Sequence, residues 1–365
     1  MSNSWQKKHL GDIAKISSGK MISSKEISDT YSKGLYPCYG GNGLRGYVKN
    51  YLYNGQYPII GRVGALCGNV HLTNGPFFPT EHALVVSIKT NDDPRFIEYL
   101  LKSMNLNQYA KGVAQPVLSA STISELSAYF PPISEQKGIV AELDLLSGII
   151  EKKNAQLRTL DELSNTLFYE MFGNPVSNDK AWASEKMKDI APQKAYSGHI
   201  PANNGMQWLL NLDMVESQTG KIIEKVLFSS ADIGNSTTTF SEDNILYSKL
   251  RPYLNKVVIP DEPGYCTSEL VPLLPKKGVI NRIFLAYLLR SKFFVDYINT
   301  RVAGAKMPRI TMSDFWEFDI IIPPLKLQES FAEKISAIEK QKSLIRTSLS
   351  PAEDLLAARM DEYFC

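Results

Sequence analysis

Cysteine is scarce in this chain, with four in 365 residues (Cys38, Cys67, Cys266 and Cys365). No two stand at CxxC spacing, so neither a zinc site nor a disulfide framework is indicated. Histidine is equally sparse: His9, His71, His82 and His199 are scattered, none at a metal-ligand spacing from another His or Cys. No apolar run approaches the ~20 residues of a membrane span, and the isoleucine run Ile320 to Ile322 stops at Pro323. The stretch from Met1 to Lys20 carries charges where a signal peptide has its apolar region. Charge of one sign is missing too: 40 Lys+Arg against 38 Asp+Glu leaves +2, so no single field covers the surface. A hydrophobic share of 44% with 21% charged residues is that of a folded soluble protein, and a cytoplasmic location is the expectation. The length favours two or three domains, each with its own core.

Catalytic motifs are missing as well. Gly19-Lys20 lacks the glycine five residues before Gly19 that a phosphate-binding loop requires, because position 14 is Ala. Gly40-Gly41-Asn42-Gly43 lies between aromatic, strand-like segments, where Asn-Gly marks a hairpin rather than a phosphate loop. Glu151-Lys152-Lys153 has the spacing of some nuclease sites but falls inside an amphipathic helix, where a solvated charged face accounts for it. Asn174-Pro175 shares only two residues with the NPPY tetrapeptide of amino-methyltransferases; Val176 and Ser177 follow.

What is present is a duplication. Trp5 opens a stretch ending Gly11-Asp12-Ile13-Ala14, and Trp182 opens one ending Lys188-Asp189-Ile190-Ala191, at a shift of 177. Ile60-Gly61-Arg62-Val63 and Tyr247-Ser248-Lys249-Leu250 correspond at 187, followed by Pro79-Thr80-Glu81 and Cys266-Thr267-Ser268. Tyr99 to Ser103 matches Tyr287 to Ser291 at 188, and Pro116 and Pro131-Pro132 match Pro308 and Pro323-Pro324 at 192. Five weak matches in one order make two copies of a module.

Each copy changes character at its Pro-Pro pair. Before it, short β-branched and aromatic runs such as Tyr36 to Tyr53 and Asp243 to Ile259 predict strands, with helices over Arg95 to Ser103 and Asn281 to Asn299. After it the 3-4 spacing takes over. Ile139, Leu143, Leu146, Ile150, Lys153, Leu157, Leu160, Ser164, Leu167 and Met171 form one seam; Phe331, Ile335, Ile338, Lys342, Ile345, Leu349, Ala352 and Leu356 form another. Lys153 and Lys342 suit a helix pair whose register must be fixed. Ser350-Pro351 with Glu353 resembles a fresh capping box, so a kink or break is expected there.

With that architecture, the chain resembles the specificity subunit of a Type I DNA restriction-modification system. The resemblance rests on Trp5 with Leu10-Gly11-Asp12-Ile13, Tyr39 to Gly43 leading to Gly46-Tyr47-Val48, and Ile60 to Ala65 with Cys67-Gly68-Asn69-Val70. Pro131-Pro132 with Glu135-Gln136, Ile245 to Leu254, and Pro323-Pro324-Leu325 with Gln328 complete it. It implies an α+β fold in which two related, strand-rich target-recognition domains are separated by two long helices forming an antiparallel coiled coil, a pseudo-twofold internal repeat. The expected boundaries are 1–132 and 173–324 for the recognition domains, with helical spacers at 133–172 and 325–365. It also implies a non-catalytic reader of a bipartite, asymmetric double-stranded DNA site that docks two modification (methyltransferase) subunits and the restriction subunits. S-adenosylmethionine, ATP and magnesium would be used by those partners, with no cofactor or metal in this chain.

The charge distribution agrees with that expectation. Residues 1–134 carry 13 Lys+Arg and 8 Asp+Glu and residues 173–326 carry 18 and 16, whereas 135–172 carry 4 and 7 and 327–365 carry 5 and 7. Positive charge sits on the strand-rich parts and the helices are acidic. A domain binding alone through phosphates would be more basic, so partner subunits are expected to contribute to binding. Base-reading needs Arg, Lys, Asn or Gln on loops that can enter a groove. The candidates are Asn42 and Arg45 on the hairpin, Arg62 at the strand exit, and Lys111 with Gln115 before Pro116. In the second copy they are Lys249, Arg251 and Tyr253, then Lys306 and Arg309 beside Pro308. Lys111 to Pro116 and Arg301 to Arg309 occupy the same place in each repeat. About 38 helical residues at ~1.5 Å per residue give an arm of roughly 57 Å, which would set the half-site spacing. Phe168, Met171 and Phe172, with Met360, Tyr363 and Phe364, are expected to be exposed docking surfaces for modification subunits, or else to pack within the helix pair. Two other readings compete: a stand-alone methyltransferase or nuclease, and a protein-only coiled-coil scaffold.

Overall fold

The computed structural model describes residues 5–112, 115–229, 232–234, 236–304 and 306–365. The chain divides into two compact units: residues 1–154 with 346–365, and residues 155–345.

In the first unit, one four-stranded sheet has the order Ala14–Ser18, Ala83–Ile88, Pro58–Gly61, Val70–Leu72. A second has the order Gly43–Val48, Tyr36–Gly40, Pro76–Pro79, Tyr53–Asn54, with its two central strands parallel. The predicted hairpin joins Tyr36–Gly40 to Gly43–Val48 through Gly41-Asn42, and Gly43 takes a positive φ of 87°. The helix Pro94–Ser103 buries Phe96, Ile97, Leu100 and Leu101 against the first sheet's core. Asp93 caps it, its Oδ1 accepting from the Arg95 amide at 2.8 Å.

The second unit repeats this plan with different side chains. A three-stranded sheet runs Val257–Val258, Ile245–Ser248, Leu270–Leu273. A four-stranded sheet runs Leu227–Ser229, Met206–Leu210, Gly264–Thr267, Thr237–Phe240, again with a parallel central pair. Asn281 caps the helix Arg282–Arg290 as Asp93 does in unit 1. The single helix expected over 281–299 is in fact two, Arg282–Arg290 and Lys292–Asn299. Ser291 leaves helical geometry between them, and its Oγ accepts from the Phe294 amide at 3.2 Å, so an N-cap begins a new helix there.

The two long helices are Ile133–Phe172 and Leu325–Phe364. The break expected at Pro351 is absent: the second helix runs through it, and Ser350 starts no new one. An internal proline costs ~3 kcal/mol; beyond it Leu356, Met360, Tyr363 and Phe364 pack on unit 1's core and hold the register. Each unit contains an antiparallel pairing of helix segments. In unit 1 Glu142 meets Arg359 at 2.8 Å and Tyr363 at 2.6 Å, while Lys153 donates to Ser348 at 2.6 Å. In unit 2 Asp161 meets Lys342 at 2.6 Å and Phe168 lies edge-on to Phe331. None of the ten seam residues of the first helix is exposed. Lys342 is buried between Asp161 and Glu339, which hold its pKa up against the effect of burial.

The apolar helix ends are not free surfaces. Phe168 and Phe172 are fully buried in unit 2 among Phe284 and Phe331, and Met171 is half-buried beside them. Met360, Tyr363 and Phe364 are half-buried against unit 1's core, with Phe364 5.4 Å from Phe96. Each strand-rich module is thus closed by the C-terminal end of the other copy's helix. This corrects the expectation of exposure: rings with a large apolar area have more to gain from a domain core than from solvent.

Two buried amides fasten module to helix in the same way. Gln136 donates to the Pro131 carbonyl at 3.0 Å and accepts from the Asp93 amide at 2.9 Å. Gln328 donates to the Pro323 carbonyl at 2.7 Å and accepts from the Asn281 amide at 2.7 Å.

Candidate nucleic-acid interface

In unit 1 the strand Pro58–Gly61 leaves its sheet at Arg62. The Arg62 carbonyl accepts from the Leu118 amide at 2.8 Å, and the Gly64 amide donates to the Pro116 carbonyl at 3.0 Å. Lys111 and Val117 exchange two backbone bonds, of 2.9 and 2.8 Å. Lys111 and Pro116 to Leu118 are therefore laid along the strand exit; Val113 and Ala114 within the predicted Lys111–Pro116 loop lie outside the described residues. The Gly41-Asn42 turn packs on the same exit. A Cβ on Gly61 would stand 2.1 Å from the Gly41 carbonyl oxygen, so only glycine permits the approach.

This architecture brings Asn42, Arg62, Lys111 and Gln115 around one backbone crossing. Asn42, Lys111 and Gln115 are exposed, and Asn69 Nδ2 donates to Asn42 Oδ1 at 3.4 Å. Arg62 is half-buried, its Nη1 donating to the Glu81 carbonyl at 3.4 Å, while its buried Nε has no partner among the described residues. Arg45 is exposed on the hairpin's second strand. Its positive charge opposes the burial that pushes the Cys38 thiol up to about 11, so Cys38 is an inert core residue. Behind the hairpin, burial lowers the pKa of His71, which favours its neutral form.

Unit 2 builds the same crossing bond for bond. The Lys249 carbonyl accepts from the Ile310 amide at 2.9 Å, and the Arg251 amide donates to the Pro308 carbonyl at 2.7 Å. These match the Arg62–Leu118 and Gly64–Pro116 bonds at the shifts of 187 and 192 read from sequence. The loop here is a hairpin, Val302–Ala303 against Arg309–Ile310, carrying exposed Lys306; Ala305 lies outside the described residues. Lys249 and Arg251 are half-buried. Arg251 adopts a left-handed φ of 48° that turns the chain into Pro252–Leu254, leaving Tyr253 47% exposed.

The crossing also contains residues that sequence reasoning missed. Glu269 lies in the turn before Leu270–Leu273; its carbonyl accepts from the Lys249 amide at 3.0 Å and its carboxylate pairs with Arg309 at 2.8 Å. His82 is its positional counterpart, its carbonyl accepting from the Arg62 amide at 2.9 Å. The signal was adjacent: both follow directly on the Pro79-Thr80-Glu81 and Cys266-Thr267-Ser268 match. Among the described residues no group of three His, Cys, Asp or Glu could hold a metal ion, and no helix is long and apolar enough to cross a membrane.

The model of the Type I restriction modification DNA specificity domain matches residues 2–159 and 212–352, one stretch beginning in each copy. The Type I restriction enzyme EcoprrI specificity subunit of Escherichia coli is 44% identical over 140 residues, which span 38% of this chain and 35% of that protein. The EcoDI specificity subunit, also from Escherichia coli, is 21% identical over 372 residues, covering 92% of this chain and 81% of that one. In fold, the chain is similar to a Type I restriction-modification S subunit from M. genitalium. Their structures align over 100% of this chain and 98% of that one, with a TM-score of 0.66 at 16% identity.

Proposed function

This chain belongs to the Type I restriction-modification DNA specificity family, and on that premise we propose that it is a cytoplasmic, non-catalytic subunit reading a bipartite, asymmetric duplex. Each unit takes one half-site, while modification and restriction subunits supply the methyltransferase and translocase or nuclease chemistry. S-adenosylmethionine, ATP and magnesium are then bound by those partners rather than by this chain. The observation that carries the reading is the repeated strand exit, where Arg62 in one unit and Lys249 in the other meet a loop bearing exposed Lys111 and Gln115, or Lys306 and Arg309. Such loops offer donors to base edges and phosphates from a backbone anchored by main-chain bonds. Two modification subunits dock on the exposed apolar residues that the helices retain, among them Leu145 and Leu344, each 65% exposed.

Incubation of the chain and its modification subunits with DNA and S-adenosylmethionine, followed by sequencing of methylated sites, tests this reading. The expected product is one split recognition sequence. Methyl transfer or cleavage by the chain alone would overturn it. Inserting about four residues, roughly one helical turn, after Leu160 should change the number of unread base pairs between the halves. An unchanged spacer would remove the helices from that role.

A further inference from the structure

Position 309 in unit 2 and position 117 in unit 1 are the same place in the duplicated crossing, each bridged to the residue after the strand-exit cation (Leu250 and Val63). Both side chains are exposed, but one is arginine and the other valine. Arg309 is also held: its Nε donates to Glu269 Oε2 at 3.3 Å and its Nη2 to Glu269 Oε1 at 2.8 Å. The guanidinium is therefore gripped along its Nε side, and the opposite edge, with Nη1 and the second Nη2 hydrogen, makes no hydrogen bond among the described residues.

We infer that Arg309 is a base reader for guanine in the half-site taken by unit 2, and that Glu269 is the positioning residue that aims it. The inference rests on the function proposed above. Guanine presents two acceptors, O6 and N7, at a spacing that one edge of a guanidinium meets with two hydrogen bonds. A surface ion pair adds little stability of its own, so stability gives a weak reason for holding a 49% exposed arginine in one orientation. The adjacent carboxylate also disfavours a phosphate contact, since it repels the backbone charge while leaving attraction to the neutral guanine edge. The Glu269 backbone is tied to Lys249, so the pair stands on the anchored crossing rather than on a free loop. Val117, with no donor, cannot read guanine, so the two half-sites differ at this position.

The test is selection of bound duplexes from a random pool by the full chain assembled with its modification subunits, with wild type and variants compared base by base. Arg309→Ala should reduce the preference for guanine at one position of one half-site by about tenfold or more, leaving the other half-site unchanged. Arg309→Gln should move the preference at that position toward adenine, the base whose N6 and N7 suit an amide. Glu269→Gln should relax the same position with no loss of the cooperative unfolding transition. An unchanged motif in Arg309→Ala overturns the inference. So does a uniform loss across all sequences, which a phosphate contact or a folding defect would produce. A wild-type assembly that selects no motif at all would instead remove the proposed function, and this inference with it.

Discussion

At its strand exit, unit 1 sets a valine beside a cation; unit 2 sets an arginine already gripped by a carboxylate. The main-chain bonds beneath are the same in both. What is duplicated is a backbone crossing, whose hydrogen bonds need no particular side chain, so the outward residues are free to diverge. The helix ends follow the same pattern. Phe172 and Phe364 both close a module against a matching ring, Phe284 or Phe96, yet Phe172 is fully buried and Phe364 only half.

The largest effect that could break this comparison comes from those rings. Phe172→Ala should cost about 3–5 kcal/mol, the range for a buried phenylalanine, and Phe364→Ala about half as much. Denaturant unfolding of the two variants checks it; equal losses would mean that both ends are sealed alike. Next come the glutamine clasps. Gln136→Leu and Gln328→Leu should each cost about 2 kcal/mol by stranding a backbone amide and a carbonyl, and by the same amount in both units. Unequal midpoint shifts would show that the clasp is duplicated in geometry but not in energy.

The smallest effect is a difference in alkaline stability. Tyr99 donates to Asp144 at 2.6 Å, and burial together with that bond pushes its pKa up to about 12. A folded-state pKa raised above the unfolded ~10 leaves stability intact below pH ~10. Stability is then lost as pH climbs toward that folded value, because the unfolded chain gives up the proton more readily. Tyr99→Phe should lose ~1 kcal/mol at neutral pH with the hydrogen bond and should flatten the decline in that alkaline window. Tyr287, the matching residue, is raised by burial as well, so Tyr287→Phe should flatten it in the same direction. Unfolding free energies measured from pH 8 to 12 decide the point; a slope identical to wild type in both variants would discount these phenols.

Much of this was legible beforehand. The Asn42-Gly43 hairpin, the helix near 95–103 and the two 3-4 seams rest on turn chemistry and helical period, which act over a few residues. Of the candidate interface, the matching positions of the strand exits and their facing loops were legible, because the offsets of the repeat aligned Arg62 with Lys249 and Pro116 with Pro308. Glu269 was not. A lone glutamate in a turn gives no sign of its partner forty residues on, which only folding brings within 2.8 Å. The Ser291 break was hidden because apolar periodicity continues on both sides of it. The uninterrupted passage through Pro351 was hidden because its cost is offset by packing distant in sequence.

Residue order alone carries the facts that one module occurs twice, that each copy is strands followed by a long apolar-seamed helix, and which segments correspond. Those properties are written in local period and in fixed offsets. The destination of the apolar helix ends depends on packing between segments far apart in the chain. Phe168 and Phe172 finish in the core of the second module and Phe364 on that of the first. A seam specifies that a helix must bury one face, but it cannot say against what, since burial is non-directional and any apolar surface of the right shape will serve.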